Sequence, residues 1–218
     1  LIDLAVALAR DGLKKSEKSS GIIAGSVGPY GAYLANGAEY TGDYDLSIQA
    51  YQVFHRQRIK RLVHNNVDIL ALETMPNFKE AQAIALLLQN EFPEVEAYLS
   101  FATEAGDHLW DGTRLAHAVA YFNQFEQIKA IGINCTAPDN ILPAITRIKP
   151  NTDKKVIVYP NAGEVYNPET KRWVTNNEPI NWRRLVPLWQ HAGADIIGGC
   201  CRTSPEDIRE IHDILQKQ

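Results

Sequence analysis

Cysteine is scarce in this sequence, with three residues among 218, at positions 135, 200 and 201. An odd and low count argues against a disulfide framework, which small secreted proteins build from an even number of cysteines. Cys135 taken alone is as readily a small buried apolar side chain as a functional thiol. Cys200 and Cys201 differ, because adjacent side chains serve one site only where the backbone turns, as at the end of a strand.

Long apolar runs and charge of one sign are also lacking. No run approaches the roughly 18 residues of a membrane-spanning helix, and no basic segment followed by an apolar one opens the chain. The net charge of -4 is mixed along the chain, which predicts neither a nucleic-acid-binding surface nor a membrane-binding one. We therefore expect a cytosolic protein.

Short apolar runs alternate with segments of helical periodicity, which predicts parallel strands joined by right-handed helical crossovers. Six units of this kind fit either a doubly wound sheet or six-eighths of a (β/α)8 barrel, which needs about 250 residues when complete. The predicted strands are 22–27, 67–74, 95–103, 128–134, 156–161 and 194–199.

Capping residues mark several of the predicted helix ends. Asn77 is expected to cap the helix after the second strand, and Ser204 with Pro205 to open the last helix. Gly193 is expected to end the helix before it. The polar stretch 164–179 has the length of a loop that often serves as a lid.

Unusual residues collect where the predicted strands end, in the stretches GSVGP, LET, GINCT, YPNAG and GGCC. The carboxyl ends of parallel strands share one edge, which is the active-site face of such folds. This placement brings Cys135, Cys200 and Cys201 to one rim, where Gly198 and Gly199 allow a sharp turn. Three thiolates suit a catalytic zinc ion with an open fourth position. The alternative is three buried cysteines without a metal.

The stretches GSVGPYGAYL, LETMPN, GINCT, YPNAGE and GGCCRTSPEDI closely resemble the homocysteine S-methyltransferases that use S-methylmethionine or S-adenosylmethionine, from about Gly21 to the C-terminus. The resemblance implies a (β/α)8 TIM-type barrel in which Cys135, Cys200 and Cys201 bind Zn2+. It also implies that Glu73 binds the amino group of homocysteine. The alternative for Glu73 is a solvated carboxylate or one that serves a helix dipole.

Three further residues have two interpretations each. Asn134, beside a proposed ligand, orients the metal site or the substrate, or else caps the end of its strand. Ser26, in the GSVGP loop, and Asn161 shape the pocket of the methyl donor, or else form tight turns only.

The same resemblance implies that the first two βα units are absent. Relatives begin with a strand that carries an Asp-Gly motif, whereas this chain opens at Leu1 inside a helix-like stretch. We therefore expect residues 1–218 to form one methyltransferase domain, a partial barrel of strands three to eight.

The expected reaction transfers a methyl group from a sulfonium donor to homocysteine and forms methionine. The zinc-bound thiol is deprotonated and attacks the methyl carbon, so no general base is needed. His108, in the loop after the third strand, is placed where it could reach the site, although a role outside the site is favoured for it. The other histidines are expected to be surface or packing residues: His55, His64, His117, His191 and His212.

Two rival functions remain. A truncated paralogue would keep the cysteines without catalysing the reaction. A metal-dependent hydrolase would prefer histidine and carboxylate ligands, which the all-cysteine set disfavours. The motifs do not choose between the two sulfonium donors, and they leave the oligomeric state open.

Overall fold

The computed structural model describes residues 1–16, 21–163, 165–167, 170, 172–174 and 180–217. The strands are β1 Ala24–Val27, β2 Ile69–Met75, β3 Ala97–Phe101, β4 Thr103–Glu104, β5 His108–Leu109, β6 Ile128–Asn134, β7 Lys155–Tyr159, β8 Val165–Asn167, β9 Arg172–Val174 and β10 Ile196–Ile197. The helices are α1 Ile2–Lys15, α2 Tyr30–Leu34, α3 Ile48–His64, α4 Phe78–Glu91, α5 Leu115–Phe122, α6 Ile141–Ile148, α7 Trp182–Ala192 and α8 Pro205–Gln216. Single 3-10 turns are formed by Ala38–Tyr40, Pro138–Asn140 and Lys149–Asn151.

All six predicted strands are present and form one parallel sheet in the order β1-β2-β3-β6-β7-β10. The spatial order follows the chain without reversal. A doubly wound sheet reverses its strand order at a switch point, so that alternative is wrong. Within the described ranges β1 pairs only with β2, and β10 only with β7, so the sheet has two edges.

The two faces of the sheet bury different partners. Leu70, Leu72, Leu99 and Val158 point into the main core, which also contains the apolar faces of the helices. The opposite face, which we call the inner face, carries a small cluster of Ala130, Ile157 and Tyr159, with Tyr98 and Cys200 packed against it. Because side chains alternate along a strand, Ser26, Glu73 and Asn134 also point to the inner face.

The predicted caps explain where several helices begin and end. The side chain of Asn77 accepts a hydrogen bond from the backbone N–H of Glu80. Ser204 forms a capping box with Asp207, each side chain accepting from the backbone N–H of the other. Gly193 adopts a left-handed φ of 111°, a conformation that costs glycine little, and ends α7.

Some elements differ from the predicted pattern. The apolar residues Leu46, Ala50, Val53 and Phe54 recur at helical spacing, which predicts that the helix after β1 includes them. Helix α3 instead begins at Ile48, because the hydroxyl of Ser47 caps it by accepting from Ala50 N. The side chain of Val53 is 65% exposed. Helix α2 and the turn Ala38–Tyr40 were not predicted, because neither is long enough to show a helical period.

The predicted loop 164–179 contains a short antiparallel hairpin formed by β8 and β9. The rest of this stretch, apart from Thr170, lies outside the described residues. Across the described residues, no helix combines the length and apolarity that crossing a membrane requires.

A substitution at Gly132 tests the contact between β6 and β7. A Cβ atom at this position would lie 1.6 Å from the carbonyl oxygen of Ile157, its partner in the register. Because neither backbone can yield without breaking the ladder, we expect Gly132→Ala to lower the free energy of unfolding by about 3 kcal/mol or more. Urea denaturation followed by circular dichroism measures this change.

Gly12→Ala is the matched control, because a Cβ at Gly12 in α1 would meet nothing within 4 Å. Alanine is the better helix former, so this variant should be more stable by roughly 0.5–1 kcal/mol. Equal stability of the two variants would contradict the close approach of β6 and β7.

Candidate metal and substrate site

The three cysteines meet at the carboxyl ends of the strands, as predicted. Cys135 follows β6 directly, and Cys200 and Cys201 lie in the turn after β10. Their three Sγ atoms all lie within 4.8 Å of one another, and the Cys135 and Cys201 sulfurs are 3.5 Å apart. All three are free thiols, and Cys135 is buried.

Backbone hydrogen bonds and left-handed residues aim these thiols at one point. Cys135 has a φ of 53°, and its N–H donates to the carbonyl of Tyr159 at the end of β7. The N–H of Cys200 donates to the carbonyl of Pro160. A Cβ at Gly199 would lie 2.4 Å from the hydroxyl of Thr203, so this position has no room for a side chain, whereas a Cβ at Gly198 would make only an ordinary contact of 3.6 Å with Tyr159.

Asn134 joins the cysteines to the end of β2. Its side chain is fully buried, its Oδ1 accepts from Thr74 N at 2.8 Å, and its Nδ2 donates to Thr74 Oγ1 at 2.8 Å. The same Nδ2 lies 3.8 Å from Cys200 Sγ. Thr74 also has a left-handed φ, of 60°, which non-glycine residues adopt only where their surroundings hold them.

Glu73 lies on the inner face beside this link, with both carboxylate oxygens bound. Oε1 accepts from the hydroxyl of Ser26 at 2.6 Å, and Oε2 accepts from the hydroxyl of Tyr159 at 3.1 Å. Strands β2 and β7 are three steps apart in the sheet, about 14 Å if the sheet were flat. Because strand side chains stand roughly perpendicular to their sheet, this contact requires the sheet to curl around its inner face.

The two tyrosines near Glu73 keep their hydroxyl protons. Burial, together with the negative charge of Glu73, raises the pKa of Tyr98 to about 12. Burial and the same charge hold the pKa of Tyr159 well above its ordinary value. Both phenols are therefore protonated at neutral pH, and Tyr159 is a hydrogen-bond donor to the carboxylate.

The thiols affect one another's ionisation strongly. Hydrogen bonds with the Cys135 and Cys200 thiols lower the pKa of Cys201 to about 3. Hydrogen bonds to Cys200 and Cys201, followed by burial, raise the pKa of Cys135. One thiolate is thus stabilised by its protonated neighbours, and a second negative charge at this distance is costly unless a cation joins the cluster.

Tyr40 reaches the same cluster, a contact that no pattern in the sequence indicates. Its hydroxyl lies 3.2 Å from Cys135 Sγ, and it comes from the turn Ala38–Tyr40 between β1 and α3. Burial, and next the charge of Cys135, raise the pKa of Tyr40, which keeps the phenol protonated. A short turn carries no periodic signal, and 95 residues separate the two side chains in the chain.

The burial of the carboxylate of Glu80, three residues after the cap Asn77, is a second feature that the sequence did not indicate. It is fully buried in the first turn of α4 and accepts from Tyr30 N, Tyr44 Oη and His55 Nε2. His55 was expected to be a surface or packing residue; it is fully buried and paired with Glu80 at 2.7 Å.

Two other residues considered from the sequence, Asn161 and His108, make no described side-chain contact with the cysteines or Glu73. Asn161 is buried, its Oδ1 accepts from Gly163 N at 3.4 Å, and its N–H donates to the carbonyl of Thr136, which is the pattern of a tight turn. His108 lies in the β4–β5 hairpin, where its Nδ1 is 3.4 Å from a carboxylate oxygen of Asp107.

Comparison with known proteins assigns this sequence to a family. The sequence profile of the homocysteine S-methyltransferases matches residues 1–215. The homocysteine S-methyltransferase YbgG of Bacillus subtilis is 45% identical over 219 aligned positions, which cover 97% of this chain and 69% of that protein. The homocysteine S-methyltransferase of Escherichia coli is 46% identical, with 86% of this chain and 60% of that protein covered. A selenocysteine Se-methyltransferase of Brassica oleracea var. italica is 40% identical, with 94% and 60% covered.

A solved structure has the same fold. The homocysteine methyltransferase MmuM of Escherichia coli, in its metallated form, matches with a TM-score of 0.82 at 40% identity, over 97% of this chain and 68% of that one. The chain thus spans between 60% and 69% of the length of these relatives. A profile match over nearly all of its residues, with identities of 45% and 46% to two bacterial members, shows that the chain belongs to the homocysteine S-methyltransferase family.

Proposed function

We propose that this chain carries the metal and homocysteine site of an enzyme that transfers a methyl group from a sulfonium donor to homocysteine, forming methionine. One observation carries the proposal: three thiols converge within 4.8 Å on the rim where the carboxylate of Glu73 also lies. The Asn134–Thr74 link joins the two parts, since Thr74 follows Glu73 and Asn134 reaches Cys200.

The chemistry of the cluster supports zinc, held by Cys135, Cys200 and Cys201. Among the described residues the group contains no histidine or carboxylate, and all-thiolate sets select zinc over the hard cations magnesium and calcium. Bonds of about 2.3 Å in a tetrahedron place neighbouring sulfurs about 3.8 Å apart. The 3.5 Å between Cys135 and Cys201 is close to that value. Three protein ligands leave a fourth position for a substrate thiol.

Glu73 would bind the ammonium group of homocysteine. A carboxylate has about four acceptor sites, and the hydroxyls of Ser26 and Tyr159 take one on each oxygen. Those two bonds orient the carboxylate and leave it acceptor capacity for an ammonium ion. Ser26 therefore belongs to the homocysteine side of the site in this proposal. Asn161 would lie in the turn that forms the wall of the pocket for the methyl donor.

When bound, zinc would lower the pKa of the homocysteine thiol, ordinarily about 8.5 for a thiol of this kind, and keep it ionised at neutral pH. In the transfer, the thiolate sulfur of homocysteine forms a bond to the methyl carbon as the bond from that carbon to the donor sulfur breaks. The bonding pair stays on the donor sulfur, which leaves as a neutral thioether. No proton moves in this step, which agrees with the pairing of His55 and His108 to carboxylates elsewhere.

The donor would be S-methylmethionine or S-adenosylmethionine. We also propose that the six parallel strands are strands three to eight of a (β/α)8 barrel. The monotonic strand order, the helices on a single face and the curl implied by the Tyr159–Glu73 contact support this.

A second candidate is a zinc-binding relative without turnover. The edges at β1 and β10 favour it, because within the described ranges no strand covers the inner face beyond them. Assays of zinc content and of methionine formation on the 218-residue chain separate the two candidates. Zinc with methyl transfer supports the enzyme, whereas zinc without transfer supports the second candidate.

The metal assignment is tested by single Cys→Ser substitutions at 135, 200 and 201. Because serine hydroxyls are poor zinc ligands at neutral pH, each variant should hold far less than the roughly one zinc per chain expected of the unsubstituted protein. Elemental analysis after dialysis against a weak chelator measures the content. Full zinc in Cys135→Ser would remove that residue from the ligand set.

The role of Glu73 is tested with Glu73→Gln, which keeps the shape of the side chain and removes its charge. Loss of a charge-assisted hydrogen bond costs about 1.5–3 kcal/mol, so homocysteine should bind roughly 10- to 150-fold more weakly. Zinc content should not change, because the carboxylate pairs with the substrate and not with the metal.

Glu94→Gln provides the matched control, since Glu94 is exposed ahead of the amino end of β3. Isothermal titration of the zinc-loaded proteins with homocysteine gives the affinities. If Glu73→Gln and Glu94→Gln bound homocysteine equally well, the assignment of Glu73 would fail while the metal site stood.

A further inference from the structure

The segment 28–47, which we call the tyrosine loop, connects β1 to α3. One buried carboxylate accepts hydrogen bonds from both of its ends. Glu80, fully buried, accepts from Tyr30 N near the start of the loop at 2.6 Å and from Tyr44 Oη near its end. His55 Nε2, from α3, lies 2.7 Å from the same carboxylate. A buried carboxylate with this many partners strongly resists displacement, because any lost partner leaves charge desolvated.

The middle of the loop is held by close packing. A Cβ on Gly31 would lie 2.7 Å from the backbone N of Glu39, so the two halves of the loop touch. Gly42, with a φ of 64°, lies against the backbone of Trp110, and a Cβ there would come within 2.8 Å of it. Hydrogen bonds to Glu80 thus hold the two ends of the loop. The close approaches at Gly31 and Gly42 leave no room for an added side-chain atom.

The short turn Ala38–Tyr40 lies within the tyrosine loop, and its last residue is Tyr40. The Tyr40 hydroxyl lies 3.2 Å from Cys135 Sγ. A phenol offers one O–H donor, and a thiolate sulfur is an acceptor. On another side of the cluster, Asn134 Nδ2 lies 3.8 Å from Cys200 Sγ. The Cys135 and Cys200 sulfurs therefore each have a side-chain donor, and the two donors come from different elements of the fold. The Tyr40 hydroxyl also hydrogen-bonds to Cys201.

Donors of this kind matter for a thiolate metal site. Groups that hydrogen-bond to metal ligands orient them and tune their charge, and losing one typically costs 10- to 100-fold in metal affinity.

We propose that Tyr40 is a positioning residue that donates a hydrogen bond to the Cys135 thiolate and thereby sets the metal affinity and the electron donation of the cysteine cluster. The tyrosine loop, anchored through Glu80, delivers that donor. The inference rests on the proposed metal site and adds to it a residue that binds neither metal nor substrate.

The test compares Tyr40→Phe with Tyr121→Phe in the 218-residue chain. Tyr121 is the matched control, because its hydroxyl accepts from Gln82 in the helical layer and makes no described contact with the cysteines. Zinc affinity is measured by competition with a chromophoric chelator at fixed pH. We expect Tyr40→Phe to bind zinc 10- to 100-fold more weakly, and Tyr121→Phe to bind as the unsubstituted chain does.

Substitution of Co2+ for Zn2+ supplies a readout that a general loss of stability would not move. Removing a hydrogen bond makes a thiolate a better electron donor. The sulfur-to-cobalt charge-transfer band of Tyr40→Phe should therefore shift to lower energy, while the d–d bands keep their tetrahedral intensity. Thermal melts of the metal-free proteins should be alike, which separates the donor role from a structural one.

Unchanged zinc affinity together with an unchanged charge-transfer band would overturn the role of Tyr40 and leave the metal site intact. A change in the d–d intensity that signals a lost ligand would also overturn it, because Tyr40 would then be a ligand and not a donor. An unsubstituted chain that binds neither Zn2+ nor Co2+ would instead sink the proposed metal site, and the role of Tyr40 with it.

Discussion

The close approach of β6 to β7 at Gly132 is the constraint on which most of the site depends. With no side chain at this position, the backbone of Gly132 packs directly against the carbonyl of Ile157. The register then places Asn134 opposite Tyr159, and Cys135 donates its N–H to the Tyr159 carbonyl. The end of β6 that precedes Cys135 and the hydroxyl donor to Glu73 on β7 are therefore both set by one contact two residues away.

Strain at the rim is offset by hydrogen bonds that converge on it. Thr74, Cys135 and Arg202 all have left-handed backbones, a conformation that costs each non-glycine residue of order 1–3 kcal/mol. Asn134 binds both the N–H and the hydroxyl of Thr74, which holds the end of β2 in that conformation. The strained residues are Cys135 itself and the chain neighbours of Glu73 and Cys201. Such strain persists only where the surrounding structure holds it, and it often orients side chains at functional sites.

Two carboxylates, the half-buried Glu73 and the fully buried Glu80, organise different halves of the rim. Glu73 faces the concave inner side, where hydroxyls from β1 and β7 orient it toward the space a substrate would occupy. Glu80 faces the helical side, where it anchors the tyrosine loop. The first has acceptor capacity to spare, whereas the second is enclosed by protein donors, and this difference is the reason that we propose a binding role for Glu73 alone.

Sequence alone determined the six strands, the caps at Asn77, Ser204 and Gly193, and the meeting of three cysteines on one rim. Those features follow from hydrophobic periodicity, from local backbone hydrogen bonding and from the rule that parallel strands end at a common edge. The tertiary structure alone decided the contact of Tyr40 with Cys135, the link from Asn134 to Thr74, and the burial of His55 against Glu80. Each of these joins residues at least 25 positions apart through a side chain in a short turn, at a strand end or on a helix, where no repeat in the sequence reports the partner. Such partners are selected by how the sheet curls and how its loops pack, and both are properties of the whole fold.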